Sequence, residues 1–119
     1  MALITPVQHA IAEFLQARTG LDGLAAFFQR KRDLFLEAMA GSRFRPLPCR
    51  GTYFQLMDYS AISDEPDAEF AIRMTKEHGV ASIPTSPFLY RGAAPKVVRF
   101  CFAKKDETLE QAAERLRGI

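Results

Sequence analysis

The stretch from Lys96 to Ala103 constrains the fold more than any other part of the chain. It reads Lys-Val-Val-Arg-Phe-Cys-Phe-Ala, a run of β-favouring residues with no helical period. Strand alternation puts Val97, Arg99 and Cys101 on one face and Val98, Phe100 and Phe102 on the other. That pattern predicts burial on at least one face. The chain must therefore build a sheet with an apolar side, and other elements must cover it. At 119 residues it has material for one domain. A chain of this size buries roughly two-thirds of its unfolded surface, enough for one core without staples. A hydrophobic fraction of 48% and a charged fraction of 25% are ordinary globular values, which excludes disorder, collagen-like repeats and coiled coils.

The covering elements are legible by their period. Thr5 and Gln8 fit a capping box with Pro6 at the first helical position, and Val7, Ala10, Ile11, Phe14 and Leu15 make one apolar face. Thr19 and Gly20 end that helix, and residues 20–23 are a short break. A second helix is expected from Leu24 to Ala40. Leu24, Phe27, Phe28, Leu34, Phe35, Ala38 and Met39 form its apolar face, Lys31 snorkels out of it, and Gly41 stands just past its end. Pro46 and Pro48 make 42–50 a loop or an irregular edge strand. Gly51 opens a strand over 52–58, and a third helix over 67–78 stops at Gly79. A brief strand follows over 80–83, and 86–95 is loop. Asp106 is the expected N-cap of a last helix buried through Leu109, Ala112, Ala113 and Leu116. The order is helix, helix, strand, helix, strand, strand, helix. That is an α+β domain, helices packed on a small sheet, with one extra helix in front.

Charge and cysteine content narrow the function classes. Sixteen basic against fourteen acidic residues leave a net charge of +2, too balanced for a dedicated nucleic-acid binder. Cys49 and Cys101 lie far apart, outside any CxxC pair, so neither a disulfide framework nor a zinc site is indicated and a reducing cytoplasm is expected. No apolar run approaches the roughly 20 residues that span a bilayer, and the opening MALITPVQHA lacks the basic region of a signal peptide. The helix begins almost directly after Met1, as if the chain had been cut from something longer.

Arg99 is the residue that points to chemistry. An arginine in the middle of an apolar strand must be paired, because an unpaired buried guanidinium is costly. Its planar fork holds a carboxylate through two parallel hydrogen bonds. The partner is either a ligand carboxylate or an acid of the chain itself, unless the strand lies at an edge where Arg99 reaches water. Cys101 shares that face as a small buried hydrophobe rather than a reactive thiolate. His9 and His78 have no metal-ligand spacing, Ser82, Thr85 and Ser86 lack a nucleophile-elbow setting, and no phosphate-binding glycine motif is present. The groups Arg30-Lys31-Arg32 and Arg43, Arg45 and Arg50 read as solvated faces. A small nucleic-acid site using Arg43, Phe44, Arg45 and Arg50 is the weakest alternative.

Five segments, in order and covering nearly the whole chain, carry a family resemblance. They are TPVQHAIAEFL (5–15), FFQRKRDLFLEAM (27–39), RGTYFQLMDYS (50–60), GVASIPTSPF (79–88) and VVRFCFAKKDETLEQAAERL (97–116). Together they resemble the C-terminal part of the fold-type I, pyridoxal-phosphate-dependent aminotransferases of class I/II, in the methionine, kynurenine and glutamine-transaminase-like branch. The resemblance implies a small mixed sheet with helices packed on it, the small domain, over residues 24–119. Residues 1–23 are then a helix left over from the large domain. It gives Arg99 the role of holding the substrate α-carboxylate and sets Phe88 near the substrate side-chain pocket.

The resemblance also implies what this segment lacks. The lysine that forms the aldimine, the acid facing the pyridine nitrogen and the phosphate cup belong to the larger domain. None of Lys31, Lys76, Lys96, Lys104 and Lys105 stands in an S-x-x-K-type motif. The expected function is a part of an aminotransferase exchanging an amino group between an amino acid and a 2-oxo acid. This part supplies Arg99 and a mobile lid, holds no catalytic residue, and is expected to be inactive and without bound pyridoxal phosphate on its own. The complete enzyme is expected to be a homodimer binding neither nucleic acid nor membrane. A chain of this part alone would expose Val7, Ile11 and Phe14 and tend to self-associate. The alternative is a free-standing, non-catalytic binding module with the same fold.

Overall fold

Two neighbouring strands, β2 (Phe54–Asp58) and β4 (Val97–Cys101), show the same alternation of half-buried and buried residues. In this computed structural model, which describes residues 4–17, 20–90, 92–93 and 95–119, they pair antiparallel over their full length. Gln55 and Met57 point to one side with Val98 and Phe100, all buried, while Phe54, Leu56, Val97, Arg99 and Cys101 occupy the other, half-buried side. The period-two reading of the sequence around Arg99 therefore holds for both faces. A short β1 (Arg45–Pro46) flanks β2 and a short β3 (Ile83–Pro84) flanks β4, so the order is β1-β2-β4-β3.

Every pairing is antiparallel, where a mixed sheet was expected. The third strand is also shorter than the run 80–83. Val80 turns into the core instead, leaving only Ile83 and Pro84 opposite Arg99 and Val98. The prolines at 46 and 84 both fall on edge strands, where a missing N–H leaves no partner unsatisfied.

Three helices follow the periodicity that the sequence shows. They are α2 (Leu24–Ala38), α3 (Asp67–Arg73, running on into a wider turn at Met74–His78) and α4 (Asp106–Arg117). Phe35 and Met39 from the α2 segment, Phe70 and Met74 from α3, and Leu109, Ala113 and Leu116 from α4 meet Met57, Val98, Phe100 and Phe102 in one core. Phe44 also lies in this core, packed edge-on against Phe70 and Phe100, which removes it from any exposed basic–aromatic patch. Asp106 does not cap its own helix. Its carboxylate crosses to α2 and pairs with Lys31 and Arg30, because a charge-assisted bond is stronger than one from a neutral N–H. Lys31 is accordingly buried and paired rather than snorkelling into water.

The first helix, α1 (Thr5–Ala17), has no buried residue. Its face of Val7, Ile11, Phe14 and Leu15 is exposed, and the expected burial of Leu24 and Phe27 at the start of α2 fails for the same reason, that no element covers them. The stop expected at Thr19 lies outside the described residues, as do Arg91 and Ala94 of the 86–95 loop.

Candidate functional site: an arginine between two aromatic rings

Arg99 stands mid-strand with neighbours on both sides: its backbone is opposite Leu56 of β2 and Ile83 of β3. It is therefore on an interior strand, and the edge-strand explanation for a charge at this position does not apply. No hydrogen bond or ion pair joins Arg99 to any other of the described residues, so an internal salt bridge does not explain it either. Its guanidinium meets two rings instead. The Cζ atom lies 4.3 Å from the centroid of Phe54 and 5.6 Å from that of Phe88. Ring faces attract the cation but offer no acceptor for its five N–H donors. The fork is thus positioned and unspent.

Different parts of the chain supply the two rings. Phe54 rides on β2 and projects to the same side of the sheet as Arg99, since Phe54 pairs with Cys101 two residues further along β4. Phe88 ends a 3₁₀ turn, Ser86–Phe88, and is itself 70% exposed. The structure thus brings Arg99 and Phe88, both singled out in the sequence, to one place. Phe54 was not singled out as a site residue. The signal was present in the GTYF motif and in the strand alternation, once β2 and β4 are known to be neighbours. Arg99 also lines a cleft of about 350 Å³ with Ile83, Cys101, Lys104 and Arg115, and no Asp or Glu contributes to that lining. Neither Phe54 nor Phe88 lines this cleft, which runs toward α4 through Leu109 and Ala112.

The turn that carries Phe88 is tied down on two sides. Thr85 donates its hydroxyl to the Val97 carbonyl at 2.9 Å. Ser86 donates its backbone N–H to Asp67 Oδ2 at 2.7 Å and its hydroxyl to Asp67 Oδ1 at 2.8 Å. Burial pushes the Asp67 carboxyl up, but the Ser86, Thr85 and Ala68 donors outweigh it and hold the group below the usual carboxylate range. Nothing in the sequence pointed to Asp67, which looks like any acid in the first turn of a helix.

Of the five lysines, Lys104 alone lines the Arg99 cleft. Lys31 and Lys96 are paired with Asp106 and Asp64, and Lys76, Lys104 and Lys105 are exposed. Among the described residues no group of His, Cys, Asp and Glu could hold a metal ion.

The site is thus an interior sheet arginine, held between two rings and paired with no acid among the described residues, in a small antiparallel α+β layer. Comparison with known proteins gives that arrangement a family. The profile of the Aminotransferase class I and II family matches residues 1–116, and the chain belongs to that family. It is 49% identical over 116 residues to a methionine aminotransferase of Escherichia coli K12, covering 97% of this chain and 30% of that protein. It is 35% identical to mouse kynurenine–oxoglutarate transaminase 3, covering 96% of this chain and 30% of that protein. The crystal structure of Escherichia coli YbdL, for which a methionine aminotransferase function is identified, superposes with a TM-score of 0.86 at 47% identity, over 99% of this chain and 31% of that one. N-succinyldiaminopimelate aminotransferase from Mycobacterium tuberculosis gives 0.82 at 30% identity, over 95% of this chain and 30% of that one. The chain thus spans about 30% of the length of these relatives. Members of the family use pyridoxal phosphate, act on amino acids and 2-oxo acids, and are generally dimeric.

Proposed function

We propose that this chain is the carboxylate-holding, lid-forming part of a pyridoxal-phosphate-dependent aminotransferase that exchanges an amino group between an amino acid and a 2-oxo acid. One observation carries the reading: the Arg99 guanidinium is held between Phe54 and Phe88 and paired with no acid among the described residues. Its fork donates two parallel hydrogen bonds to the substrate's α-carboxylate, which fixes the direction of the amino acid's remaining bonds. Phe88, over the same guanidinium and open to the outside, flanks the side chain of that substrate. The 49% identity to a methionine aminotransferase supports an apolar or thioether side chain.

The chain's own residues do not fit the cofactor. Two of its lysines are engaged by acids and three are exposed, Lys104 among the lining of the Arg99 cleft, and no chemical step is assigned to them. The group belongs to a larger body, and this chain binds and orients substrate while covering it from water. Residues 24–119 form the small domain, and 1–23 pack on another body in the complete homodimeric enzyme; the wholly exposed α1 supports that division. The two unpaired cysteines and the lack, among the described residues, of any helix able to cross a membrane agree with a cytoplasmic enzyme.

The test is a titration of the chain with the 2-oxo acid corresponding to methionine, followed through the Arg99 side-chain N–H signal in an NMR spectrum. Arg99→Lys replaces a fork by a point charge and is expected to weaken binding by about tenfold. An Arg99 signal that does not respond to the 2-oxo acid sinks the reading. Incubated with pyridoxal phosphate alone, the chain is expected to form no lysine adduct. An adduct abolished by substituting a single lysine would overturn its assignment as a part without the cofactor site.

A further inference from the structure

The Ser86–Phe88 turn cannot be held by packing. Its large side chains face outward, with Phe88 70% and the following Leu89 45% exposed, so burial of apolar area contributes little to its placement. What holds it is polar. Two of the hydrogen bonds converge on one carboxylate that is only 5% exposed, and this carboxylate sits on α3, nineteen residues away in sequence. Asp67 faces no cation in return. Its further donors are the backbone N–H groups of Ala68, at 2.9 Å, and of Thr85, so its charge is carried by hydrogen bonds alone among the described residues. Burying an uncompensated carboxylate is unfavourable unless every bond it makes is in place. The arrangement therefore has a preferred position for Ser86, and through it for the ring two residues later.

We propose that Asp67 is a positioning residue of the Arg99 site: it latches the Ser86–Phe88 turn to α3 so that the Phe88 ring stays over the Arg99 guanidinium. Asp67 touches neither Arg99 nor Phe88; it acts through Ser86, while Thr85, the residue before it, ties the same end of the turn to β4. Releasing the latch leaves the guanidinium with Phe54 alone, so the fork gains freedom that a bound carboxylate must remove again. The inference rests on Arg99 as the carboxylate-binding group only for its consequence in binding. The latch itself is readable without a ligand.

The experiment compares the chain with its Asp67→Ala, Asp67→Asn and Ser86→Ala variants by NMR. Contacts between the Phe88 ring and the Arg99 side chain are measured first, and affinity for the 2-oxo acid of methionine second. Asp67→Ala is expected to lose the Phe88–Arg99 contacts while the Val98 and Phe100 amide signals stay in place, and to weaken binding about three- to tenfold. Asp67→Asn keeps an acceptor for the Ser86 N–H and is expected to recover most of both. Ser86→Ala, which removes one of the two bonds and leaves the backbone alone, is expected to fall between, and it carries the test if Asp67→Ala does not fold. A folded Asp67→Ala, or failing that a Ser86→Ala, with unchanged Phe88–Arg99 contacts overturns the latch. An effect on thermal stability alone would make Asp67 a structural residue and overturn it equally. If the contacts respond but the unaltered chain binds no 2-oxo acid, the latch stands and the reading of Arg99 falls.

Discussion

The two rings beside Arg99 restrain it differently. Phe54 belongs to a strand paired along its whole length, so its ring is as fixed as the sheet, and at 4.3 Å it is the nearer. Phe88 is further away and depends on its turn. Removing the Phe54 ring while keeping its bulk, as in Phe54→Leu, leaves the strand's packing and takes away the stronger cation–π contact. Such contacts are worth roughly 0.5–1 kcal/mol at partly exposed sites, so affinity for the 2-oxo acid is expected to fall about two- to fivefold. Phe54→Tyr keeps a ring face and is expected to bind like the unaltered chain. Isothermal titration of the three proteins checks this, and equal affinities for the Leu and Phe forms would show that Phe88 alone restrains the guanidinium. The arginine itself was legible in the sequence because a charge in an apolar strand needs a reason. Its restraints were not, since neither ring is adjacent to it in the chain and each reaches it through a pairing or a turn.

At the scale of elements, the end of α3 shows how a single backbone position joins two helices. Gly79 closes the Met74–His78 turn with φ of 65°, and its carbonyl accepts a hydrogen bond from Arg115 of α4 at 3.2 Å. A Cβ built there would stand 2.7 Å from Arg115 Nη1. Gly79→Ala therefore meets two costs, left-handed strain and displacement of the Arg115 fork, and is expected to lose about 1–2 kcal/mol of stability. Urea unfolding measures it. Adding Arg115→Ala is expected to relieve only the steric part, and an unchanged midpoint for Gly79→Ala would mean that the turn leaves the left-handed region at no cost. Gly79 as a helix stop was legible, because glycine after a periodic apolar run is the usual end signal. Asp106 shows the opposite case. An acid at a helix start reads as a cap, but Lys31 and Arg30 across the interface claim it, and no local pattern reveals a partner 75 residues away. The same holds for Asp67 and Ser86, and for the sheet, whose wholly antiparallel pairing is set by which strands become neighbours rather than by any one strand's residues.

The whole molecule is longer than a domain of its mass should be. Its radius of gyration is 17.2 Å, against about 13–14 Å for a compact domain of this length. The difference comes from α1, which buries none of its residues and carries Val7, Ile11, Phe14 and Leu15 along one exposed side; Leu21, Leu24 and Phe27 are exposed as well. Apolar residues along one side of a helix form a patch of the kind that soluble monomers rarely leave uncovered. In the 119-residue chain on its own, that side is expected to find a second copy, and sedimentation velocity over a range of concentrations should show a rising average mass. Ile11→Glu with Phe14→Glu puts two charges in the middle of the patch without touching the core, and is expected to return a monomer with unchanged thermal stability. Because α1 contributes nothing to the sheet or its helices, the same double variant should bind the 2-oxo acid as the unaltered chain does. A chain that sediments as a monomer at every concentration would mean that α1 folds back onto the body in solution and covers its own apolar side.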